Sequence, residues 1–232
     1  MNAASNSAPT SAPPPDNAPG GEGGTLSLRR RNALRAGRGA DPLYKESSLG
    51  GPGMEEARRA LTTLLGRGEP FPVFVTDRHW HVVAANDAGR RMLGLMLGEA
   101  RMARPLNFLQ LFLAPDELRR HIVNWPPVAA ALLRRAARDL AAAPDDDALR
   151  AIWSDLAADA EVAALIADPD QPAPVALCEV RFAAQGREIG LIGVTAAFAA
   201  PQDITLDELR IESFVPADDE SEDILFRMAA PG

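Results

Sequence analysis

The chain has 232 residues, of which 47% are apolar and 24% charged, enough for one good-sized globular domain with some chain to spare. A formal charge of −8 and a pI near 5.0 leave no overall basic balance for neutralising nucleic-acid phosphates. The single cysteine, Cys178, excludes an internal disulfide and any multi-cysteine metal centre. No apolar run is long enough to span a bilayer and no signal-peptide pattern opens the chain, so a cytoplasmic protein is expected.

Residues 1–28 are mostly Ala, Ser, Pro, Gly and Asn, too poor in large apolar side chains to offset the entropy of ordering, and are expected to be disordered. Residues 29–53 read as a linker, with a short basic piece, Leu28 to Leu34, whose plainest reading is a solvated segment. The folded domain is expected over 54–228. Ala57, Leu61, Leu64 and Leu65 recur at helical spacing from Glu55 to Gly66. Two β-rich runs, Pro70 to Thr76 and His79 to Ala85, flank the tight turn Asp77-Arg78 and read as a hairpin. Asn86 is suited to cap a helix from Asp87 to Leu97.

The middle of the chain reads as helical. Pro105 to Leu113 is apolar nearly all round and should be buried; Asp116 to Val123 suits a short helix. Pro126 and Pro127 open a longer one that reaches Ala142, since proline is tolerated in a first turn. Helices over Ala148–Leu156 and Ala160–Ile166 follow. Val175 to Phe182 and Glu188 to Phe198 return to strand, joined at Gln185-Gly186. Leu209 to Val215 alternates and reads as an edge strand, with a helix started by a Thr205/Glu208 capping box as the alternative. Asp218 to Met228 reads as an acidic-start helix or a frayed tail. The pattern implies an α+β fold, an antiparallel five-stranded sheet covered by a helical insert.

No sequence constellation assembles a nucleophile, base and orienting group, and no phosphate-binding glycine motif occurs, so neither an enzyme nor a cofactor is expected. Asp77 or His121 would be the residues of a small enzyme, were there one. On a regular strand His79 and His81 would share a face opposite Trp80, the solvated side of the hairpin, and no third ligand stands at a telling spacing, so no metal is expected. The run Asp145 to Asp147 suits a helix start rather than a cation. Cys178 reads as a small apolar strand residue. Trp80, Phe108, Phe112, Trp125, Trp153, Phe182 and Phe198 are spread over sheet and insert; each serves as core, and together they could wall an apolar pocket.

The run Pro72 to Asn86, the motif Asn107 to Phe112, the stretch Ile122 to Trp125 followed by Leu132 and Arg134-Arg135, and the closing block Ala199 to Asp218 resemble, in order and content, the ligand-binding domain of MmyB-like transcription regulators. The resemblance implies a PAS-like fold that follows an Xre-type helix-turn-helix and senses a small apolar ligand, an acyl-like one among the options. The ligand-binding residues it and the aromatic pattern select are Trp80, Val82, Phe108, Leu111, Phe112, Trp125, Leu132, Val194 and Phe198. Asp77, Asn86, Asn107, Pro201 and Asp203 are selected as structural motif residues. Arg31 to Leu34 and Asp41 to Glu46 resemble the family's inter-domain linker. The Pro/Gly/Ser-rich opening cannot supply a recognition helix, so this chain is expected to lack its own DNA-binding domain and to reach DNA only indirectly. A homodimer is compatible with this reading. A protein-interaction module with a closed core and no ligand is the alternative.

Overall fold

The computed structural model describes residues 26–168, 178–184 and 186–230. The expected disorder of 1–28 falls mostly outside them, as do Val175 to Leu177 at the expected strand start and Gln185 in the expected turn.

Five antiparallel strands, β1 (Val73–Thr76), β2 (Val82–Ala85), β3 (Glu179–Ala184), β4 (Arg187–Ala196) and β5 (Arg210–Pro216), form one sheet in the order β2-β1-β5-β4-β3. This is the α+β, PAS-like arrangement, with the described residues from 87 to 167 forming a helical insert over one face. The insert comprises α3 (Asp87–Leu97), α4 (Glu99–Met102), α5 (Phe108–Leu113), a 3₁₀ turn at Leu118–His121, α6 (Trp125–Ala142), α7 (Asp147–Ala157) and α8 (Ala160–Ala167). No helix among the described residues is long and apolar enough to cross a membrane.

The inner face carries Phe74, Val180, Phe182, Ile189, Leu191 and Phe214, which pack into one cluster with the insert. The outer face of β1 and β5 is also clad. There α2 (Glu55–Gly68) lays Leu61 over Val73, Val75 and Ile211. All four residues of β1 are therefore buried, the apolar run Val73-Phe74-Val75 and then Thr76, with no alternation between a buried and an exposed side.

Two expectations change. The strand Arg210–Pro216 is the central strand, not an edge: it pairs with β1 on one side and β4 on the other. Arg210 and Glu212 suggested a solvated border, yet Glu212 is 4% exposed and sits on the inner face opposite Phe74, its charge matched by Arg135 at 2.5 Å. The preceding Thr205 and Glu208 do lie in a helix, α9 (Ile204–Glu208), but Asp203 is its cap. The expected helix over Asp116–Val123 shrinks to the 3₁₀ turn because Val123 N–H donates to the Arg181 carbonyl and Ile122 pairs with Phe182, drawing the chain into extended form.

The C-terminal segment is a helix, α10 (Asp219–Ala229), capped by Asp218 and acidic in its first turn as the helix dipole favours. Its Ser221 hydroxyl accepts the Gly190 N–H at 2.8 Å, and Ile224 and Leu225 are buried. At the other end, α1 (Leu28–Ala36) docks on the closing block. Leu28 N–H donates to Asp207, Arg29 forks onto Glu208 and Glu46, and the Lys45 backbone forms a parallel β-bridge with that of Asp203. Asn32 fastens the returning chain through Leu43 N–H, Tyr44 N–H and the Tyr44 carbonyl.

Candidate functional site

The turn between β1 and β2 is the local element from which the site is built. Asp77 Oδ1 accepts the N–H groups of His79 at 2.8 Å and His81 at 2.9 Å, a side-chain turn that an aspartate makes readily. Trp80 sits within it at φ 66°, a left-handed conformation rare for a bulky residue. The Trp80 carbonyl accepts Phe108 N–H at 2.7 Å, and its indole points inward, stacked at 6.5 Å on Phe108 with the Arg135 guanidinium 4.4 Å above the ring.

Asn107 ties this turn to the insert. Its side-chain amide donates to the His79 carbonyl at 2.7 Å, while Oδ1 caps α5 through Leu109 and Gln110 N–H. Helix α5 then delivers Phe108, Leu111 and Phe112 to the sheet, with ring centroids 4.8 Å apart for Phe108 and Phe112 and 6.1 Å for Phe112 and Phe182. Trp125 starts α6, donating its indole N–H to the Phe112 carbonyl at 2.9 Å beneath the Arg119 guanidinium. Asn86 caps α3 and also grips β1; Asp203 caps α9 and receives Ser47 N–H from the linker. Pro201 is half-buried just ahead of that cap.

Of the selected ligand-binding residues, Trp80, Phe108, Leu111, Phe112 and Trp125 lie together, each at most 7% exposed, and Val82 and Leu132 pack against them. Val194 and Phe198 are elsewhere. Val194 is 48% exposed on the outer face of β4, and Phe198 joins the outer cluster around Leu61.

A cleft of about 560 Å³ opens beside this layer, bounded by α1, the Asp77–Trp80 turn, the C-terminal end of α6, the α6–α7 turn and the Glu208–Arg210 corner. Trp80 is its link to the aromatic layer. The rest of the wall is largely charged, with an apolar strip of Ala142, Ala143, Pro144, Ala148 and Leu149. Arg78 reaches Asp146 at 2.6 Å and Glu208 at 3.7 Å, and Glu208 also holds Arg29 at 2.6 Å, so an ion-pair chain runs from the linker helix to the insert. The hydrogen bonds that Arg29 donates, first to Glu208 and then to Glu46, raise its pKa further above the ordinary value. Desolvation opposes the Asp146 carboxylate, yet the Leu149 N–H, His79 and Arg78 hold its pKa below the ordinary aspartate value. Burial pushes Asp139 the other way, up, against the pull of Arg135, Arg210 and Arg138. Burial also raises the Cys178 thiol, the opposite of what a reactive thiolate needs.

This cleft was not legible in the sequence. Arg29 meets Glu208 across 179 positions and Arg135 meets Glu212 across 77. The turn also brings Asp77 to His79 and His81, so that one ligand atom from each lies within 4.8 Å of the others. The spacing Asp-x-His-x-His was the available signal for that grouping.

The chain belongs to the family described as the MmyB-like transcription regulator ligand binding domain, whose pattern it matches over residues 57–228. The comparison with curated proteins finds no match. An effector-sensing regulatory domain is the class that this family and this sheet-and-insert architecture define.

Proposed function

We propose that the domain senses a small apolar molecule, an acyl-type chain being the simplest case, between the inner face of the sheet and helices α5 and α6. The observation that carries this reading is the aromatic layer of Trp80, Phe108, Phe112 and Trp125 between the sheet and the insert, bordered at Trp80 by an open cleft. Ligand sites combine an apolar surface with polar groups at the mouth; here the layer supplies the apolar surface and the charged cleft beside Trp80 the polar mouth. Each of these side chains gains about 1.5–3 kcal/mol from burial, so a ligand that parts them must return as much. A ligand with an extended apolar body does so. The signal leaves through the contacts of α1 and Lys45 with the closing block, a coupling between ligand site and linker.

The near-complete burial of the layer favours a second reading, a closed core serving a protein contact. Titration with dodecanoate, followed by calorimetry and tryptophan emission, separates the two. On the sensing reading dodecanoate binds saturably, and Trp125→Phe and Leu132→Ala weaken it more than His79→Ala, whose side chain lies outside the layer. Equal effects of the three changes, or no saturable binding, favour the closed core.

A further inference from the structure

The geometry points to a binding site for one divalent transition-metal ion of the Zn²⁺ class at the β1–β2 turn, held by Asp77, His79 and His81. Each offers one ligand atom, and the three atoms lie within 4.8 Å of one another. This site is independent of the apolar-ligand reading.

The convergence is a product of the backbone. On a regular strand residues 77 and 81 would be about 13 Å apart along the chain. Here Asp77 N–H donates to the His81 carbonyl and Trp80 N–H to the Asp77 carbonyl, each at 3.0 Å, which curls the segment into a tight turn. The left-handed Trp80 inside that turn carries its indole into the core while Asp77, His79 and His81 are left in the partly exposed shell. A strained conformation at a bulky residue persists only where its surroundings over-determine it. The Phe108 stack, the Arg135 guanidinium and the Phe108 N–H bond supply that determination.

The donor chemistry fits. Asp77 Oδ2 and His81 Nδ1 are 3.2 Å apart, close to the separation of about 3.4 Å that two ligands take around a tetrahedral ion with bonds near 2.0–2.1 Å. His79 Nε2 lies 3.1 Å from both oxygens of Asp146, so Nδ1 is the nitrogen it has to give, and a carboxylate on the outer nitrogen is the usual support of a metal-bound imidazole. Asp146 is itself fixed by Arg78 at 2.6 Å and by the Leu149 N–H at 3.1 Å. A pair at the 4.8 Å limit closes by about 1.4 Å to reach tetrahedral spacing, and the His81 side chain, 48% exposed, has room to turn. Two imidazoles with one carboxylate select Zn²⁺, Ni²⁺ or Cu²⁺ over Mg²⁺ and Ca²⁺, which prefer oxygen. Three protein ligands leave a position for water, and Asp77 and Asp146 place the ion on the rim of the cleft.

The test is calorimetric titration of the full chain with Zn²⁺, paired with the visible spectrum of the Co²⁺ form. One equivalent is expected to bind, and the Co²⁺ form is expected to show the absorption of a four- or five-coordinate site. His81→Ala and Asp77→Asn should each weaken Zn²⁺ binding by about 100-fold, and Asp146→Asn, which still caps α7, by about tenfold. His121→Ala and Cys178→Ser, which change the remaining histidine and the thiol, should leave it unchanged. Melting of each variant without metal confirms that the fold survives. Absence of saturable one-to-one uptake overturns the proposal, as does an affinity that His81→Ala leaves intact or that His121→Ala or Cys178→Ser abolishes.

Discussion

Replacing Asn86 by alanine should cost far more than a helix cap is worth. Asn86 is 4% exposed and its side chain makes four hydrogen bonds. Its Oδ1 accepts Val73 N–H and Gly89 N–H, both at 2.9 Å, and its Nδ2 donates to the Phe71 carbonyl at 2.8 Å and the Leu65 carbonyl at 3.4 Å. Loss of the cap to α3 alone costs about 1 kcal/mol. The Val73 N–H and Phe71 carbonyl are then left buried without partners at about 1–3 kcal/mol each, for a total of about 3–5 kcal/mol once some water has entered the truncated space. With a urea slope of about 2–3 kcal/mol/M, the midpoint should fall by about 1.5 M at unchanged slope. Asn86→Asp separates the two roles. Aspartate caps a helix as well as asparagine does, but it cannot donate to Phe71 and Leu65 and sets a carboxylate against both carbonyls. A loss under about 1 kcal/mol for Asn86→Ala, or full recovery with Asn86→Asp, would refute the view that this side chain binds α2, β1 and α3 together.

Gly89→Ala tests the approach of α3 to the sheet. Alanine improves helix propensity by up to about 1 kcal/mol, but its Cβ would stand 2.9 Å from Cε1 and Cζ of the Phe74 ring. Overpacking of about 1–3 kcal/mol should win, lowering the urea midpoint; a rise would show that Phe74 can yield. Asp139→Asn tests the cleft electrostatics through the pH dependence of melting. Burial raises the Asp139 pKa above its unfolded value, so the charged form costs stability above the folded pKa and costs nothing below the unfolded one. The variant should therefore melt higher than the parent at neutral pH, with the difference fading as pH falls toward about 4. A difference constant with pH would mean that the pull of Arg135, Arg210 and Arg138 balances desolvation, and one of opposite sign that it exceeds it.

Much of the fold is written in local pattern. The helices over Glu55–Gly68, Asp87–Leu97, Phe108–Leu113 and Trp125–Ala142 follow from apolar spacing, cap residues and prolines confined to a first turn. The hairpin at Asp77, the Asn86 and Asn107 caps, and the family motifs are likewise short-range, each needing only residues a few positions apart. What was not legible depends on distant partners. The central place of Arg210–Pro216 rests on pairing with both β1 and β4, and the burial of Glu212 rests on Arg135, brought in by α6. An alternating strand with charges looks the same at an edge as in the middle until its neighbours are known.

The site divides along the same line. Sequence by itself determined the fold class, the family and the insert aromatics Phe108, Phe112 and Trp125, though not their inner-face partners Phe74 and Phe214, because apolar periodicity and motif order are local properties of a chain. Tertiary structure alone decided that Val194 and Phe198 leave that layer and that the basic piece near Arg29 closes a cleft against Glu208. It also decided that a left-handed Trp80 gathers Asp77, His79 and His81 into one group. Those outcomes depend on which face a strand turns inward and on charges far apart in sequence, and neither is settled until the sheet has closed.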